Sequence, residues 1–175
     1  KLFAKTDKLF SKRYEEETNL RCQLIIDISS SMYFPQGRYN KLNFSAYSAA
    51  ALIYLLIRQR DAFGLSLFTD ELLLNTPAKS TTTHQKYLFT QLEQVLKAEK
   101  MNVKTDIAQA LHQVADLIHK RSMVIIFSDM LSSAQNEEGI DSLFSALQHL
   151  KFSKHEVIIF NVTDKAKEVD FELEN

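Results

Sequence analysis

Residues 22–31 read Cys-Gln-Leu-Ile-Ile-Asp-Ile-Ser-Ser-Ser, and this stretch decides the fold class. Its first five residues form an almost entirely apolar run, which is typical of a strand that is buried on both faces of a parallel sheet. The run ends at Asp27, and three serines follow within four residues. A strand of this kind needs covering helices, so the stretch predicts an α/β fold.

The rest of the chain alternates between strand-like and helix-like segments. Further strands are predicted over residues 63–68, 71–75, 123–127 and 156–160, and helices over 42–60, 82–96, 106–120 and 140–150. The helix over 42–60 is apolar at almost every position, so we expect it to be well buried. This order predicts right-handed crossovers and a doubly wound, mostly parallel central sheet that is flanked by helices on both faces.

The composition excludes several classes of function. The 175 residues suit one domain, and 21 basic against 22 acidic residues argue against a dedicated nucleic-acid binder. The three glycines, Gly37, Gly64 and Gly139, lie too far apart to build a phosphate-binding loop or a nucleophile elbow. The single cysteine, Cys22, cannot form an internal disulfide, which fits a reducing compartment and predicts a cytoplasmic location.

The chain contains no membrane-spanning pattern. Its most apolar run, residues 49–57, is far shorter than the roughly 20 residues that a spanning helix needs. The first residues lack the apolar stretch of a signal peptide, and no methionine precedes them. We therefore expect the chain to be an excerpt of a longer protein.

Hydroxyl and carboxylate side chains follow the predicted strands at the points where these strands end. In extended backbone alternate side chains point the same way, so Asp27, Ser29 and Ser31 are expected to converge. Asp129 follows the strand over 123–127, and Thr105 precedes a helix in a loop that emerges at the same edge. Ligands of doubly wound sheets bind outside the carboxyl ends of the strands. The five side chains are therefore candidates for one site.

Oxygen donors of this kind suit a hard divalent cation. Mg²⁺ prefers octahedral oxygen ligands and keeps several waters, so Mg²⁺ is the expected cofactor, with Mn²⁺ and Ca²⁺ as alternatives. A site with few directly bound carboxylates stays electrophilic, so it favours an Asp or Glu of a partner protein as its last ligand. Taken one at a time, the serines and aspartates are better explained by helix caps and loop hydrogen bonds. The placement of all three segments at the matching ends of their strands and helix favours the metal site. Asp106 is most simply the N-terminal acid of its helix.

Residues 24–32, 104–107 and 125–129 resemble the von Willebrand factor A domain, whose metal-ion-dependent adhesion site uses an Asp-x-Ser-x-Ser, Thr and Asp set. Residues 12–20, 58–65 and 155–164 more narrowly resemble the bacterial family named domain of unknown function 58. The resemblance implies a von Willebrand factor A-like domain over residues 21–175. The alternating charges of residues 1–20 separately predict a lead-in segment that forms a solvated edge strand. The resemblance also implies that Ser29, Ser31 and Thr105 bind the metal directly, while Asp27 and Asp129 balance its charge.

The same resemblance implies a partner and a location. Members of this family are typically encoded beside MoxR-type AAA+ ATPases and are thought to act with them in the assembly or activation of other proteins. A partner with an exposed Asp or Glu, either such an ATPase or its client, is therefore expected. Members often carry upstream transmembrane helices, so the full-length protein is expected to be membrane-anchored.

Two departures from the von Willebrand pattern affect the site. Lys104 precedes the threonine where glycine is common, and its charge would compete with a cation. Met130 stands where glycine usually follows the aspartate, which predicts a differently shaped turn.

The five histidines show no metal-binding spacing, and no nucleophile has an identifiable base, so we expect no enzyme. Two alternatives stay open: a scaffold that binds through helix surfaces, and a metal-assisted phosphohydrolase that uses Lys104 and Asp106.

Overall fold

The structure is a computed structural model that describes residues 20–37, 39–98, 106–130 and 136–170. The lead-in segment predicted over 1–20 lies outside these ranges, apart from Leu20, whose backbone N–H donates to Asp61. Within the described ranges, no helix has the length and the hydrophobicity needed to cross a membrane.

The described residues form a mostly parallel sheet of five strands in the order β3-β2-β1-β4-β5. The strands are β1 (Arg21–Asp27), β2 (Ala62–Phe68), β3 (Leu72–Asn75), β4 (Met123–Ser128) and β5 (Glu156–Asn161). Strand β1 lies at the centre and pairs in parallel with β2 and β4, and β4 pairs in parallel with β5. The short strand β3 runs antiparallel to β2. The prediction of an α/β fold with a mostly parallel sheet is confirmed.

Four α-helices connect these strands within the described ranges. They are α1 (Lys41–Arg58), α2 (Thr82–Lys97), α3 (Ile107–Leu117) and α4 (Glu137–Phe152). A short 3-10 turn covers Ser30–Tyr33, and a π-helical turn, here called the C-terminal turn, covers Lys165–Val169.

The start of each α-helix is set by a side-chain cap. Asn40, Thr81, Asp106 and Asn136 each accept a hydrogen bond from the backbone N–H three residues further on. Such a cap satisfies one of the amide groups that the first turn of a helix leaves without a backbone partner. The interpretation of Asp106 as the N-terminal acid of its helix is thus confirmed. Helix α3 ends at Leu117 rather than at residue 120, because Ile118 takes extended backbone.

The buried apolar side chains form two clusters, and β1 contributes to both. Leu24 and Ile26 pack with side chains of α1 and α2, whereas Ile25 packs with side chains of α3 and α4. This division follows from the strand geometry, because successive side chains of a strand point to opposite faces.

The prediction that the helix over 42–60 is well buried is wrong for one of its faces. Ile53 is fully buried, but Tyr47 is 65% exposed and Leu55 is 53% exposed. A helix that packs on a sheet buries only the stripe that faces the sheet, and no described element covers the opposite side of α1. A groove of about 690 Å³ runs along this side, beside Phe44 and Tyr47.

Candidate functional site

Four of the five predicted site residues lie at the carboxyl edge of the two central strands. Asp27 is the last residue of β1, and Asp129 directly follows β4. Because β1 and β4 are parallel neighbours with Ile26 opposite Phe127, both strands end at the same level. After β1, Ser29 stands at the start of the 3-10 turn and Ser31 lies within this turn.

Hydrogen bonds from residues that follow β1 and from the end of β4 hold the Asp27 carboxylate. Its Oδ1 atom accepts from the backbone N–H of Ser29 at 2.9 Å, and its Oδ2 atom accepts from the hydroxyl of Ser128 at 2.7 Å. The Ser128 hydroxyl oxygen in turn accepts from the backbone N–H of Met130 at 3.1 Å. These bonds join the residues that follow β1 to those that follow β4, and they fix the orientation of the carboxylate.

Burial makes Asp27 an unusually weak acid. The loss of hydration raises the pKa of its carboxyl from 3.8 to about 6. The hydrogen bonds from Ser29 and Ser128 oppose this shift, and the nearby charge of Asp129 adds to it. A carboxylate in this position gains from a nearby cation, because a positive charge would restore the stabilisation that water no longer provides.

The two serine hydroxyls are placed as neighbouring ligands of one ion would be. The Oγ atoms of Ser29 and Ser31 lie 3.2 Å apart. Ser29 has extended backbone and Ser31 lies in the 3-10 turn, so the change from extended to 3-10 backbone at Ser30 brings the two hydroxyls together. Two adjacent oxygen ligands of an octahedral Mg²⁺ at about 2.1 Å would lie about 3 Å apart. With Asp27 and Asp129 alongside, the donor set therefore fits a hard divalent cation.

Asp129 is engaged by an ammonium group that sequence reasoning did not anticipate. The Nζ atom of Lys41, the first residue of α1, lies 2.8 Å from Oδ2 of Asp129 and 2.6 Å from Oε1 of Glu168 in the C-terminal turn. Lys41 is only 3% exposed, and its ammonium lies 5.8 Å from the centroid of the Phe34 ring. The sequence held one signal, since a basic residue in the first turn of a helix opposes the helix dipole and needs a compensating acid.

The remaining site predictions have mixed outcomes. Thr105 and Lys104 lie outside the described residues. Met130 has a φ of 55°, in the left-handed region that glycine favours, so the turn keeps a glycine-like backbone without glycine. The expectation of a differently shaped turn stays a prediction, because the residues that follow Met130 lie outside the described ranges.

Other reactive side chains lie away from this edge. Cys22 is buried in β1, and burial raises its pKa to about 12, which suits a packing residue rather than a nucleophile. The Nδ1 atoms of His112 and His149 lie 3.1 Å apart, a contact between α3 and α4 that the sequence did not reveal. Among the described residues, no group of three or more His, Cys, Asp or Glu side chains is placed to hold a metal.

Solved structures with a similar fold include two bacterial proteins and one from a mussel. The conserved hypothetical protein BatB from Bacteroides thetaiotaomicron aligns with a TM-score of 0.57 and 17% identity, over 80% of this chain and 65% of BatB. An aerotolerance-related membrane protein from Bacteroides fragilis NCTC 9343 with multiple mutations to serine gives 0.57 and 18%, over 82% of this chain and 67% of that one.

Proximal thread matrix protein 1 from the mussel byssus gives a TM-score of 0.58 and 16% identity, over 81% of this chain and 37% of that one. At these identities the likeness concerns the fold alone. No curated protein sequence matches the chain significantly. The family model described as "Protein of unknown function DUF58" matches residues 1–171. The chain therefore belongs to the DUF58 family of proteins of unknown function.

Proposed function

We propose that this chain is a metal-dependent protein-interaction domain of the von Willebrand factor A type. A divalent cation, Mg²⁺ with Mn²⁺ and Ca²⁺ as alternatives, is held by the set Asp27, Ser29, Ser31, Thr105 and Asp129. The cation binds an Asp or Glu side chain of a partner protein as its last ligand. The domain acts by binding and carries out no chemical reaction.

One observation carries this proposal: two carboxylates and two hydroxyls from separate parts of the chain meet at one sheet edge. The carboxylates of Asp27 and Asp129 are almost completely buried, although charged side chains are rarely buried without a compensating partner. Among the described residues, the Lys41 ammonium pairs with both Asp129 and Glu168. A divalent cation would add positive charge beside Asp27, whose carboxyl is destabilised in its charged form by burial and by the charge of Asp129.

The fold supports a doubly wound, von Willebrand-like arrangement. The chain passes from β1 to β2 on one side and later enters β4 on the other side of β1, so the strand order reverses at the centre of the sheet. Ligands of doubly wound sheets bind where the order reverses, at the carboxyl edge. Asp27 and Asp129 lie at this place. The two apolar clusters, one with α1 and α2 and the other with α3 and α4, support helical layers on both faces.

The proposed partner is a MoxR-type AAA+ ATPase or a protein on which that ATPase acts. This part of the proposal rests on the resemblance to the family rather than on a contact in the structure. We also propose that the domain lies in the cytoplasm and that the full-length protein carries a membrane anchor elsewhere. The description of one structural relative as a membrane protein is in keeping with such an anchor.

Calorimetric titration of Mg²⁺ and Mn²⁺ tests the proposal directly. We expect binding by the wild-type chain, loss of binding in Asp27→Ala, and tighter binding when a free carboxylate such as acetate is present. Asp116→Ala is the matched control, because it removes an exposed carboxylate of α3 that lies outside the site. Absence of binding to the wild-type chain at millimolar metal would overturn the proposal.

A second candidate is a scaffold of the same fold that binds its partner without metal. The contact between Lys41 and Asp129 favours it, because an ammonium already neutralises one of the two aspartates. Such a scaffold would use the exposed apolar side of α1, which includes Tyr47 and Leu55. Partner binding that survives a chelator but is lost in Tyr47→Glu would support the scaffold. Chelator-sensitive hydrolysis of a phosphoester would instead favour the phosphohydrolase alternative.

A further inference from the structure

We infer that Lys41 and Glu168 set the cation affinity of the site and couple it to the C-terminal turn. Lys41 competes with the cation for Asp129, and Glu168 draws the Lys41 ammonium away from Asp129. Cation binding and attachment of the C-terminal turn therefore strengthen each other. The inference rests on the proposed function, since it concerns the same site.

The first step is the competition at Asp129. The Lys41 ammonium lies 2.8 Å from Oδ2 of Asp129, and both side chains are almost completely buried. Charges that are shielded from water interact strongly, so a divalent ion bound to Asp129 would be repelled by this ammonium. Loss of the positive charge would therefore raise the affinity of the site for a cation.

The second step is the role of Glu168 as the other partner of Lys41. Its Oε1 atom lies 2.6 Å from the Lys41 ammonium, and its side chain is 22% exposed. A buried ammonium needs a carboxylate, and Lys41 gains nothing from its helix because it stands at the positive end of the α1 dipole. When a cation binds Asp129, Glu168 is the remaining carboxylate that pairs with the Lys41 ammonium.

The third step links Glu168 to the backbone of the C-terminal turn. Its Oε2 atom accepts from the backbone N–H of Asp164 at 2.7 Å, and the Asp164 side chain accepts from the N–H of Lys167 at 2.9 Å. One carboxylate oxygen of Glu168 thus binds the backbone at the start of the turn, and the other oxygen binds the Lys41 ammonium. A stronger contact between Lys41 and Glu168 therefore stabilises the packing of the turn against the start of α1, at the edge of the sheet.

A cleft lies beside Lys41 and the residue that caps the C-terminal turn, Asp164. The cleft has a volume of about 280 Å³. Pro35, which precedes α1, and Lys41, which begins α1, line one side, and Asp164, which follows β5, lines the other. A partner that displaces the turn would remove Glu168 from Lys41. The ammonium would then return fully to Asp129 and weaken cation binding. Because coupling between two sites is reciprocal, a bound cation must in turn resist displacement of the turn.

Calorimetric titration of Mg²⁺ into charge-changing variants tests the inference. Lys41→Met is expected to bind about tenfold or more tightly than the wild type, and Glu168→Gln about tenfold more weakly, because the two substitutions change the local charge in opposite directions. Lys41→Gln is the second variant in case the apolar side chain prevents folding. Lys97→Met and Glu93→Gln, which alter an exposed ion pair on α2, are matched controls and should stay within about twofold of the wild type.

Hydrogen exchange provides an independent readout of the coupling. Saturating Mg²⁺ should slow exchange at the backbone amides of Asp164, Glu168 and Asp170 in the wild type, and should leave them unchanged in Glu168→Gln. Equal Mg²⁺ affinity in the wild type and both Lys41 variants would overturn the inference while leaving the proposed function intact. Absence of binding in every variant would overturn the proposed function and the inference with it.

Discussion

The ammonium of Lys41 lies 2.8 Å from the carboxylate of Asp129, although the two residues are 88 positions apart in the chain. The contact exists because α1 begins at the sheet edge where β4 ends. Neither charge is solvated, so the two depend on each other, and the Lys41 ammonium is stabilised by Glu168 as well. Asp129 is therefore both the partner of an internal cation and a candidate ligand of an external one.

Replacement of Asp27 by asparagine should stabilise the metal-free fold at neutral and alkaline pH. The pKa of Asp27 is about 6 in the folded state against 3.8 ordinarily, so the folded protein holds this proton more tightly than the unfolded chain. The contribution of Asp27 to stability therefore falls as pH rises from about 4 to 6 and stays low above that range. Urea unfolding with a chelator should show Asp27→Asn more stable by about 3 kcal/mol at pH 8.

The same comparison at pH 4 is the control for Asp27→Asn. Wild-type Asp27 is largely protonated in the folded state at that pH, so the difference between the two proteins should nearly vanish. A difference of equal size at both pH values would show that the charge of Asp27 is not its cause.

Paired substitutions on α1 should distinguish its buried side from its exposed side. Ile53→Ala removes a fully buried side chain and is expected to lower the free energy of unfolding by about 2–5 kcal/mol. Leu55→Ala, two positions away, removes a half-exposed side chain and should cost less than about 1 kcal/mol. Chemical denaturation measures both, and similar losses would contradict the exposure of this side of α1.

The end of α1 offers a place where glycine should stabilise the protein. Arg60 has a φ of 63°, and the hydrogen bonds from the N–H of Arg60 to Ile57 and from the N–H of Asp61 to Leu56 complete a Schellman motif. Arg60→Gly relieves the left-handed strain and should raise the free energy of unfolding by about 0.5–1 kcal/mol.

Gln59→Gly is the matched control for Arg60→Gly. Gln59 has a φ of −85°, so glycine at this position relieves no strain and makes the unfolded chain more flexible. We expect a loss of stability there, and a gain at both positions would contradict the role assigned to Arg60.

Gly64 in β2 should not tolerate a side chain. A Cβ atom at this position would overlap the Oε1 atom of Gln23 and lie 2.6 Å from the backbone oxygen of Thr76. Gly64→Ala should therefore lower the free energy of unfolding by about 1–3 kcal/mol. Adding Gln23→Ala should restore only part of this loss, because the Thr76 carbonyl is backbone and cannot move aside. Full recovery in the double variant would assign the whole effect to Gln23.

The strands and most helix boundaries could be predicted from local patterns. Apolar runs such as the one that ends at Asp27 indicate buried strands. Residues such as Thr81 and Asp106 accept hydrogen bonds from backbone amides of the first helical turn, so they indicate where a helix begins. The proximity of Ser29 to Asp27 was also predictable, because it depends only on the extended backbone that continues past β1. The approach of Ser31 to Ser29 depends on the 3-10 turn, which the alternation of side chains did not predict.

Contacts between distant segments could not be predicted in this way. The pattern of α1 did not reveal which of its apolar residues face the sheet, since nearly all of them are apolar and only packing distinguishes Ile53 from Leu55. The antiparallel direction of β3 depends on the tight connection that follows β2. The contact between His112 and His149 requires α3 and α4 to be packed side by side.

Local patterns in the amino-acid sequence predict the α/β class, the order of the strands and helices along the chain, and the candidate ligands that follow β1 and β4. Each of these depends on neighbours within a few positions, where backbone geometry and side-chain periodicity act directly. Only the tertiary structure decided that Lys41 and Glu168 meet at Asp129. That contact joins three segments far apart in the chain, and the burial that makes its charges interact strongly exists only once the sheet and helices have packed together.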